Sequence, residues 1–149
     1  MGQQQLLLVI LVTIIVGIAT VVAINIFGTA AEQANRDAVR QDLLSAAAQA
    51  QGIFARPEMM QGVGRDFSNL EDIRKLMIPG DERTTEDRVY NENGEYTIDG
   101  DGNSLTITGY PSSGDGTDDD TIELVITYTT DGWTFAWDGE TVGEGGTAD

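Results

Sequence analysis

The chain has 149 residues, which is enough for one domain of ordinary size plus one extended element. It carries 25 Asp and Glu residues against 8 Lys and Arg, and it contains neither Cys nor His. The formal net charge of -17 argues against nucleic acids and anionic lipid surfaces as partners, because both are bound through basic patches. The missing Cys and His exclude disulfides, thiolate metal sites and imidazole-based catalysis.

The acidic excess also bears on habitat. Only one of the basic residues, Lys75, is a lysine. At 1 M salt the electrostatic screening length is about 3 Å, which weakens the repulsion between the charges of such a surface. We therefore expect a high-salt habitat, with an ordinary acidic secreted surface as the alternative.

The first predicted element is an uncharged apolar segment from Leu6 to Phe27. Sixteen of its 22 residues are Leu, Ile, Val or Phe. At about -0.3 to -0.6 kcal/mol each, these residues favour membrane insertion by roughly 5 to 10 kcal/mol. As an α-helix the segment would be about 33 Å long, enough to cross the hydrocarbon core of a bilayer. We therefore predict that it resides in a membrane at some stage.

Three interpretations of this segment differ in its orientation and fate. A cleavable secretory signal normally has a basic start and a shorter apolar core, although Thr29-Ala30-Ala31 is similar to a weak cleavage site. A permanent anchor needs basic residues on its cytoplasmic flank, yet the nearest ones here, Arg36 and Arg40, follow the segment. In the third interpretation a short basic leader preceded Met1, set the orientation and was removed.

A helical pattern continues beyond the apolar segment, from Thr29 to Ala55, in a stretch that lacks Pro and is rich in Ala. Pro57 disfavours helical backbone at Arg56 and so ends the pattern. The sequence therefore predicts one helix from about Gln4 to Ala55, apolar all round in its first half and amphipathic in its second. The apolar stripe of the second half consists of Val39, Leu43, Ala46, Ala47, Ala50 and Phe54.

The remainder of the chain predicts a β-rich head. Asn69 to Met77 favours a short helix, and the stretch IPGDERTTED, residues 78–87, is typical of a loop. After this loop the apolar period changes to two, which indicates strands at Tyr96–Ile98, Leu105–Tyr110, Ile122–Tyr128 and Trp133–Trp137. Tight turns are predicted at DGDGN and at the Asp-Gly pair of TTDGWT, and the tail GEGGTAD is expected to fray.

Three or four antiparallel strands would place one face on the helical stripe. We expect the head to pack through Leu43, Ala47 and Phe54 of the helix and Trp133 and Phe135 of the sheet. The predicted fold class is therefore α+β, a long N-terminal helix packed on a small antiparallel sheet. Its predicted divisions are the hydrophobic helix 1–28, the amphipathic half 29–55, an αβ-loop 56–88 and a sheet head with an acidic tail 89–149.

Two acidic stretches are candidate cation sites. Asp99, Asp101 and Asn103 match the start of a calcium loop, but Ser104 replaces the expected Gly and Tyr110 replaces the final Glu. SGDGTDDD could also gather carboxylates around a cation. Turn chemistry and an acidic surface explain both stretches, so we expect no firm metal site and no cofactor, with Ca²⁺ at the first stretch as the alternative. The sequence contains no P-loop, GxGxxG motif or recognised catalytic constellation, and we do not expect an enzyme.

The uncharged start, the apolar run from Leu6, the helix of about 50 residues and the β-rich head together resemble a mature type IV pilin or a related pseudopilin. The resemblance implies a basic leader that a prepilin peptidase removes before Met1; a cut between Gly2 and Gln3 is the alternative. It also implies a structural subunit held first in the cytoplasmic membrane. Assembly machinery would then move the subunit into a homo-oligomeric helical filament at the cell surface.

One residue departs from this family. Pilins usually carry Glu as the fifth mature residue, where it is thought to meet the N-terminal amine of a neighbouring subunit, and this chain has Gln5. An amide can accept a hydrogen bond from an amine but cannot neutralise its charge. Either Gln3, Gln4 and Gln5 share a neutral polar role, or assembly relies on packing alone. The implied assembly contacts are Gln5, Leu6, Leu7, Leu8, Ile10, Leu11, Ile14, Ile15, Gly17, Ile18, Val21 and Val22.

Other functions are compatible with the same pattern. The chain could be a minor pilin or a pseudopilin of a type II secretion system. It could also be a membrane-anchored β-domain that binds a partner or a cation and never polymerises. The residues do not distinguish adhesion, motility, DNA uptake and secretion as the purpose of a filament.

Overall fold

A computed structural model describes residues 2–70, 73–83, 88–113, 121–137 and 140–141. The chain divides into two compact units, residues 1–34 and residues 35–149. The fold is α+β, as predicted: a long N-terminal helix packs, through residues of the second unit, on an antiparallel sheet.

The long helix, α1, comprises Gly2–Phe54. Its C-terminus lies one residue before the predicted end at Ala55. The amide of Arg56 donates to the carbonyl of Ile53 at 3.1 Å, and Pro57 follows with an extended backbone. The helix therefore ends where the proline makes further helical hydrogen bonding impossible.

The connection between α1 and the sheet contains two short helical pieces. Glu58–Met60 forms one turn of 3-10 helix, and Arg74–Met77 forms α2. Helix α2 is shorter than the predicted element, because Asn69 and Leu70 have irregular backbone. A helix this short has low stability alone, and α2 is held by burial of Met77 in the core.

Seven strands follow in the described part of the chain. They are β1 (Asp81–Arg83), β2 (Arg88–Tyr90), β3 (Gly94–Asp101), β4 (Ser104–Pro111), β5 (Ile122–Thr129), β6 (Gly132–Trp137) and β7 (Glu140–Thr141). Each strand pairs antiparallel with the next along the chain, so the sheet order is the sequence order. Such a meander needs only short turns between strands.

The prediction of a loop over residues 78–87 was wrong at Asp81–Arg83, which forms β1 and pairs with β2. The same strand lies inside the predicted αβ-loop 56–88. The sequence DER carries no apolar alternation, so only its pairing with β2 makes it a strand. The estimate of three or four strands was also too low, because it missed β1, β2 and β7, each two or three residues long.

Both predicted hairpins are present. The DGDGN turn joins β3 to β4, where Asp101 pairs with Ser104. At the second turn Thr129 pairs with Gly132, so the turn residues are Thr130 and Asp131, one position before the Asp-Gly pair. Gly132 adopts φ 127°, a backbone conformation that residues other than glycine rarely adopt. The tail GEGGTAD and most of the SGDGTDDD stretch lie outside the described residues.

One hydrophobic core joins the helix to the sheet. The whole predicted stripe is buried, and Ile53 is buried with it. Alternate residues of the strands face this stripe, as the period of two requires. The buried hydrophobic side chains of the sheet are Val89, Tyr96, Ile98, Leu105, Ile107, Ile122, Leu124 and Ile126.

The end of the stripe enters a cluster of aromatic rings. The ring of Phe54 lies 4.8 Å from that of Phe67, 5.1 Å from that of Tyr128 and 5.1 Å from that of Trp133, between centroids. Trp133 and Phe135 are partly buried and pack against the core. Offset and edge-on pairs of this kind each add about 0.5–1.5 kcal/mol beyond burial.

Gly109 is a point of close approach between the helix and β4. A Cβ atom at this position would lie 2.6 Å from Cγ1 of Val39 and 3.4 Å from the ring of Tyr96. Real Cβ atoms do not tolerate the shorter distance. The missing side chain of Gly109 therefore allows Val39 to reach the sheet.

We predict that Gly109→Ala lowers the free energy of unfolding by about 1–3 kcal/mol, because a methyl group is forced against Val39. Adding Val39→Ala should restore part of that loss, so that the double variant is at least about 1 kcal/mol more stable than the sum of the two single effects predicts. Denaturant unfolding of the four proteins measures this coupling. Additive losses would contradict the proposed contact.

Candidate membrane and assembly surface

The apolar segment of α1 is exposed along its whole length. The large apolar side chains between Leu6 and Phe27 have exposed fractions from 46% for Ile10 to 75% for Phe27. Exposed apolar surface of this extent is unusual in a soluble protein and marks a site of membrane or protein contact. Among the described residues, α1 is the helix that is long and apolar enough to cross a membrane.

The polar groups within this segment are largely satisfied by the helix itself. The hydroxyl of Thr13 donates to the carbonyl of Ile10 at 2.8 Å, and that of Thr20 donates to the carbonyl of Val16 at 2.8 Å. The hydroxyl of Thr29 likewise donates to the carbonyl of Asn25, at 2.7 Å. A hydroxyl bonded in this way costs little when water is removed. The three threonines are therefore compatible with a dry environment.

The residues that the resemblance implies as assembly contacts all lie in this helix. The implied processing site, Met1, lies outside the described residues. Gln5 is exposed in the first turns, and Gly17 has open space where a Cβ atom would lie. The apolar contacts Leu6, Leu7, Leu8, Ile10, Leu11, Ile14, Ile15, Ile18, Val21 and Val22 are all exposed.

One face of the apolar segment carries a shallow groove. Four larger side chains border two alanines, so the surface is lowest at Ala19 and Ala23. The residues that line the groove are Ile15, Ile18, Ala19, Val22, Ala23 and Ile26. Small residues four apart allow close approach of a second helix inside a membrane or a helical bundle.

The sequence interpretation missed a polar cluster in the second unit, centred on Asp42. Oδ2 of Asp42 accepts hydrogen bonds from the side-chain amides of Asn91 (3.0 Å) and Asn93 (2.8 Å) and from the hydroxyl of Tyr96 (2.7 Å). Hydrogen bonds to a charged acceptor are stronger than neutral ones. Asp42 therefore ties α1 to the turn between β2 and β3 and to β3 itself.

Asn35 makes a second attachment seven residues earlier on the same helix. Its side-chain amide donates to the carbonyl of Asn93 at 2.9 Å. Its side-chain oxygen accepts from the amide of Ser113 at 3.1 Å and from the hydroxyl of Ser113 at 2.9 Å. The turn after β2 and the end of β4 are thus fixed to the helix by hydrogen bonds as well as by the core.

The environment of Asp42 lowers the pKa of its carboxyl group below the ordinary value of 3.8. Partial burial acts to raise this pKa, but hydrogen bonds from Asn93, Tyr96 and Asn91 together outweigh it. Burial and the neighbouring Asp42 carboxylate raise the pKa of the Tyr96 phenol above its ordinary value of 10.0. The cluster is therefore built around an ionised Asp42 and a neutral Tyr96.

A signal for this cluster was present in the sequence. Asp42 stands three residues after Val39 and four before Ala46, at the edge of the buried stripe. A carboxylate at helical spacing within an apolar stripe needs hydrogen-bond partners when it is buried. Its partners are 49 to 54 residues away in the chain, so the sequence alone did not identify them.

The candidate calcium residues lie at the hairpin between β3 and β4. Asp99 and Asp101 belong to β3 and Asn103 lies in the turn, and all three are exposed. Residues 99–110 run as two paired strands, which is not the single wrapped loop that binds calcium in an EF-hand. Calcium binding at this hairpin stays the alternative to the expectation of no firm metal site.

Comparison with known proteins gives no assignment: no protein-family model, curated protein or solved structure matches the chain.

We predict that Asp42→Asn lowers the free energy of unfolding at pH 7 by about 1–3 kcal/mol, because the amide group of Asn would face three donors. The matched control is Asp37→Asn on the same helix, where an exposed carboxylate contacts Arg40 at 3.2 Å. The control should change stability by less than about 0.5 kcal/mol. Urea unfolding measures both variants, and equal losses would contradict the role given to Asp42.

The pH dependence of stability gives an independent prediction. Since the pKa of Asp42 is lower in the folded than in the unfolded chain, its contribution is present above pH 3.8 and is lost as the pH falls through the folded-state pKa. The raised pKa of Tyr96 has the opposite sign: its contribution is present below pH 10.0 and is lost at higher pH. Asp42→Asn should weaken the acid-side loss in a series of thermal melts. An unchanged acid limb would count against the assignment.

Proposed function

We propose that this chain is the structural subunit of an extracellular filament similar to a type IV pilus. The apolar helices of many copies would form the core of the filament, and the acidic heads would face the solvent. The observation that carries the proposal is the exposed apolar surface of residues 6–27. The resemblance to type IV pilins supports the same function.

Lipid and a bundle of identical helices are both apolar surroundings for this surface. Moving from one to the other changes the hydrophobic free energy little, so close packing must supply the specificity of assembly. The groove at Ala19 and Ala23 supports such packing. The internally bonded hydroxyls of Thr13 and Thr20 need no partner in either place.

The proposed route begins in the cytoplasmic membrane, where the apolar helix holds the subunit before assembly. A prepilin peptidase would remove a basic leader before Met1, and separate assembly machinery would extract the helix into the filament. Gln5 would replace the usual Glu, with an uncharged contact to a neighbouring N-terminus. These steps follow from the resemblance. A minor pilin or a secretion pseudopilin would use the same chemistry in smaller numbers.

A membrane-anchored head that never polymerises is the principal alternative. Its helix would contact lipid on every side, and lipid chains adapt to changes in side-chain shape. Copies packed at fixed positions cannot adapt in this way. A change of shape that preserves apolar character therefore separates the two functions.

We predict that Ala19→Leu combined with Ala23→Leu abolishes filaments while leaving the subunit in the membrane. The two leucines fill the groove and raise the apolar character of the helix, which favours insertion. Steric overlap should cost about 1–3 kcal/mol at each subunit contact. The amount of the chain in sheared cell-surface material should therefore fall at least about tenfold. Quantitative immunoblots of sheared and membrane fractions measure this ratio.

The matched control is Val9→Leu, another exposed apolar position that neither lines the groove nor belongs to the implied assembly contacts. This control should assemble at close to the wild-type level. If the groove variant assembles as well as the control does, the proposal that subunits pack through this face is wrong. If the wild-type chain itself occurs only in the membrane fraction, the filament function is wrong.

We also propose that the acidic surface suits a high-salt habitat at the cell surface. The electrostatic screening length shortens from about 10 Å at 0.1 M salt to about 3 Å at 1 M salt. This change should weaken the repulsion between the charges of a chain with net charge -17. We expect the melting temperature of the detergent-solubilised chain to rise by at least about 5 °C from 0.1 M to 2 M KCl. Melting that is independent of KCl, or lower at 2 M, would contradict this expectation.

A further inference from the structure

Two neighbouring methionines are the most exposed sulfur-containing residues in the described part of the chain. Met59 is 98% exposed and Met60 is 68% exposed. Large apolar side chains are rarely solvated to this degree in a folded head. Since the chain contains no Cys, its sulfur chemistry is confined to Met1, Met59, Met60 and Met77.

The backbone, and not the methionine side chains, holds this turn in place. The amide of Met60 donates to the carbonyl of Pro57 at 2.9 Å, and the amide of Gly62 donates to the same carbonyl at 3.2 Å. The amide of Gln61 donates to the carbonyl of Glu58 at 3.2 Å, and Gln61 itself adopts a left-handed conformation. A chemical change at either thioether therefore leaves the interactions that define the turn intact.

Met77 provides the contrast within the same head. It is the last residue of α2, is 0% exposed and belongs to the hydrophobic core. An oxidant reaches a buried thioether only after local opening of the structure. A sulfoxide at that position would also place a polar group among apolar side chains.

We propose that the Met59–Met60 turn is a reversible oxidation site of this head, at which peroxides are reduced without loss of the fold. In each event the thioether sulfur donates an electron pair to one peroxide oxygen, the O–O bond breaks, and an S–O bond forms. With hydrogen peroxide the products are methionine sulfoxide and water. A methionine sulfoxide reductase restores the thioether with electrons from thiols. The site does not depend on filament assembly.

Peptide mapping by mass spectrometry after timed exposure of the folded, full-length chain to hydrogen peroxide tests this proposal. We expect a 16 Da increase at Met59 first, then at Met60, with Met77 oxidised at least about tenfold more slowly. In denaturant the three rates should converge. Comparable rates for Met59 and Met77 in the folded chain would overturn the proposal.

The stability of the oxidised protein provides the second measurement. The free energy of unfolding of the chain oxidised at Met59 and Met60 should lie within about 0.5 kcal/mol of that of the unmodified chain. Substitutions at exposed positions usually have effects of this size. The variant with Met59→Leu and Met60→Leu should consume two fewer equivalents of peroxide before Met77 reacts. A large loss of stability on modification, or unchanged peroxide consumption in this variant, would show that the turn is not a tolerated oxidation site.

Discussion

The exposed apolar surface of residues 6–27 places a constraint on this chain that the head does not share. Burying a large apolar side chain is worth about 1.5–3 kcal/mol, and sixteen such side chains lie in the segment Leu6–Phe27. Water is therefore an unfavourable solvent for this part of the helix. Lipid and other apolar helices are the surroundings that remove it from water, and an α-helix is suited to both because it satisfies its own backbone hydrogen bonds. The internally bonded threonines extend the same rule to the side chains.

The second half of the helix follows a different rule, because it shares a core with the sheet. Its apolar stripe approaches β4 closely where Gly109 leaves room for Val39. Beside this contact the carboxylate of Asp42 and the amide of Asn35 hold the turn after β2. Apolar burial supplies most of the stabilisation in such an arrangement. The polar cluster adds directional hydrogen bonds between helix and sheet, since three donors converge on one oxygen atom of Asp42.

Local pattern was sufficient to predict the elements whose stability is largely local or periodic. The helix, its buried stripe and the two hairpins follow from spacing, from Pro57 and from Asp-Gly turns. The elements that were missed depend on partners remote in the chain. Strand β1 has no apolar alternation and exists through its pairing with β2, and Asp42 finds its donors 49 to 54 residues away. In the candidate assembly surface the sequence predicted the apolar residues and showed the spacing of four between Ala19 and Ala23, and the helix geometry added the side chains that border them.

The central claim is that the apolar helix finds its final surroundings among copies of itself. Cryo-electron microscopy of sheared cell-surface material, with the subunit identified by mass spectrometry, tests this claim most directly. The account predicts filaments of this chain whose axial density is a bundle of helices containing residues 6–27, with the sheet heads outside. The opposite result is a chain present only as single copies in the membrane fraction, or a filament whose axis is formed by the heads.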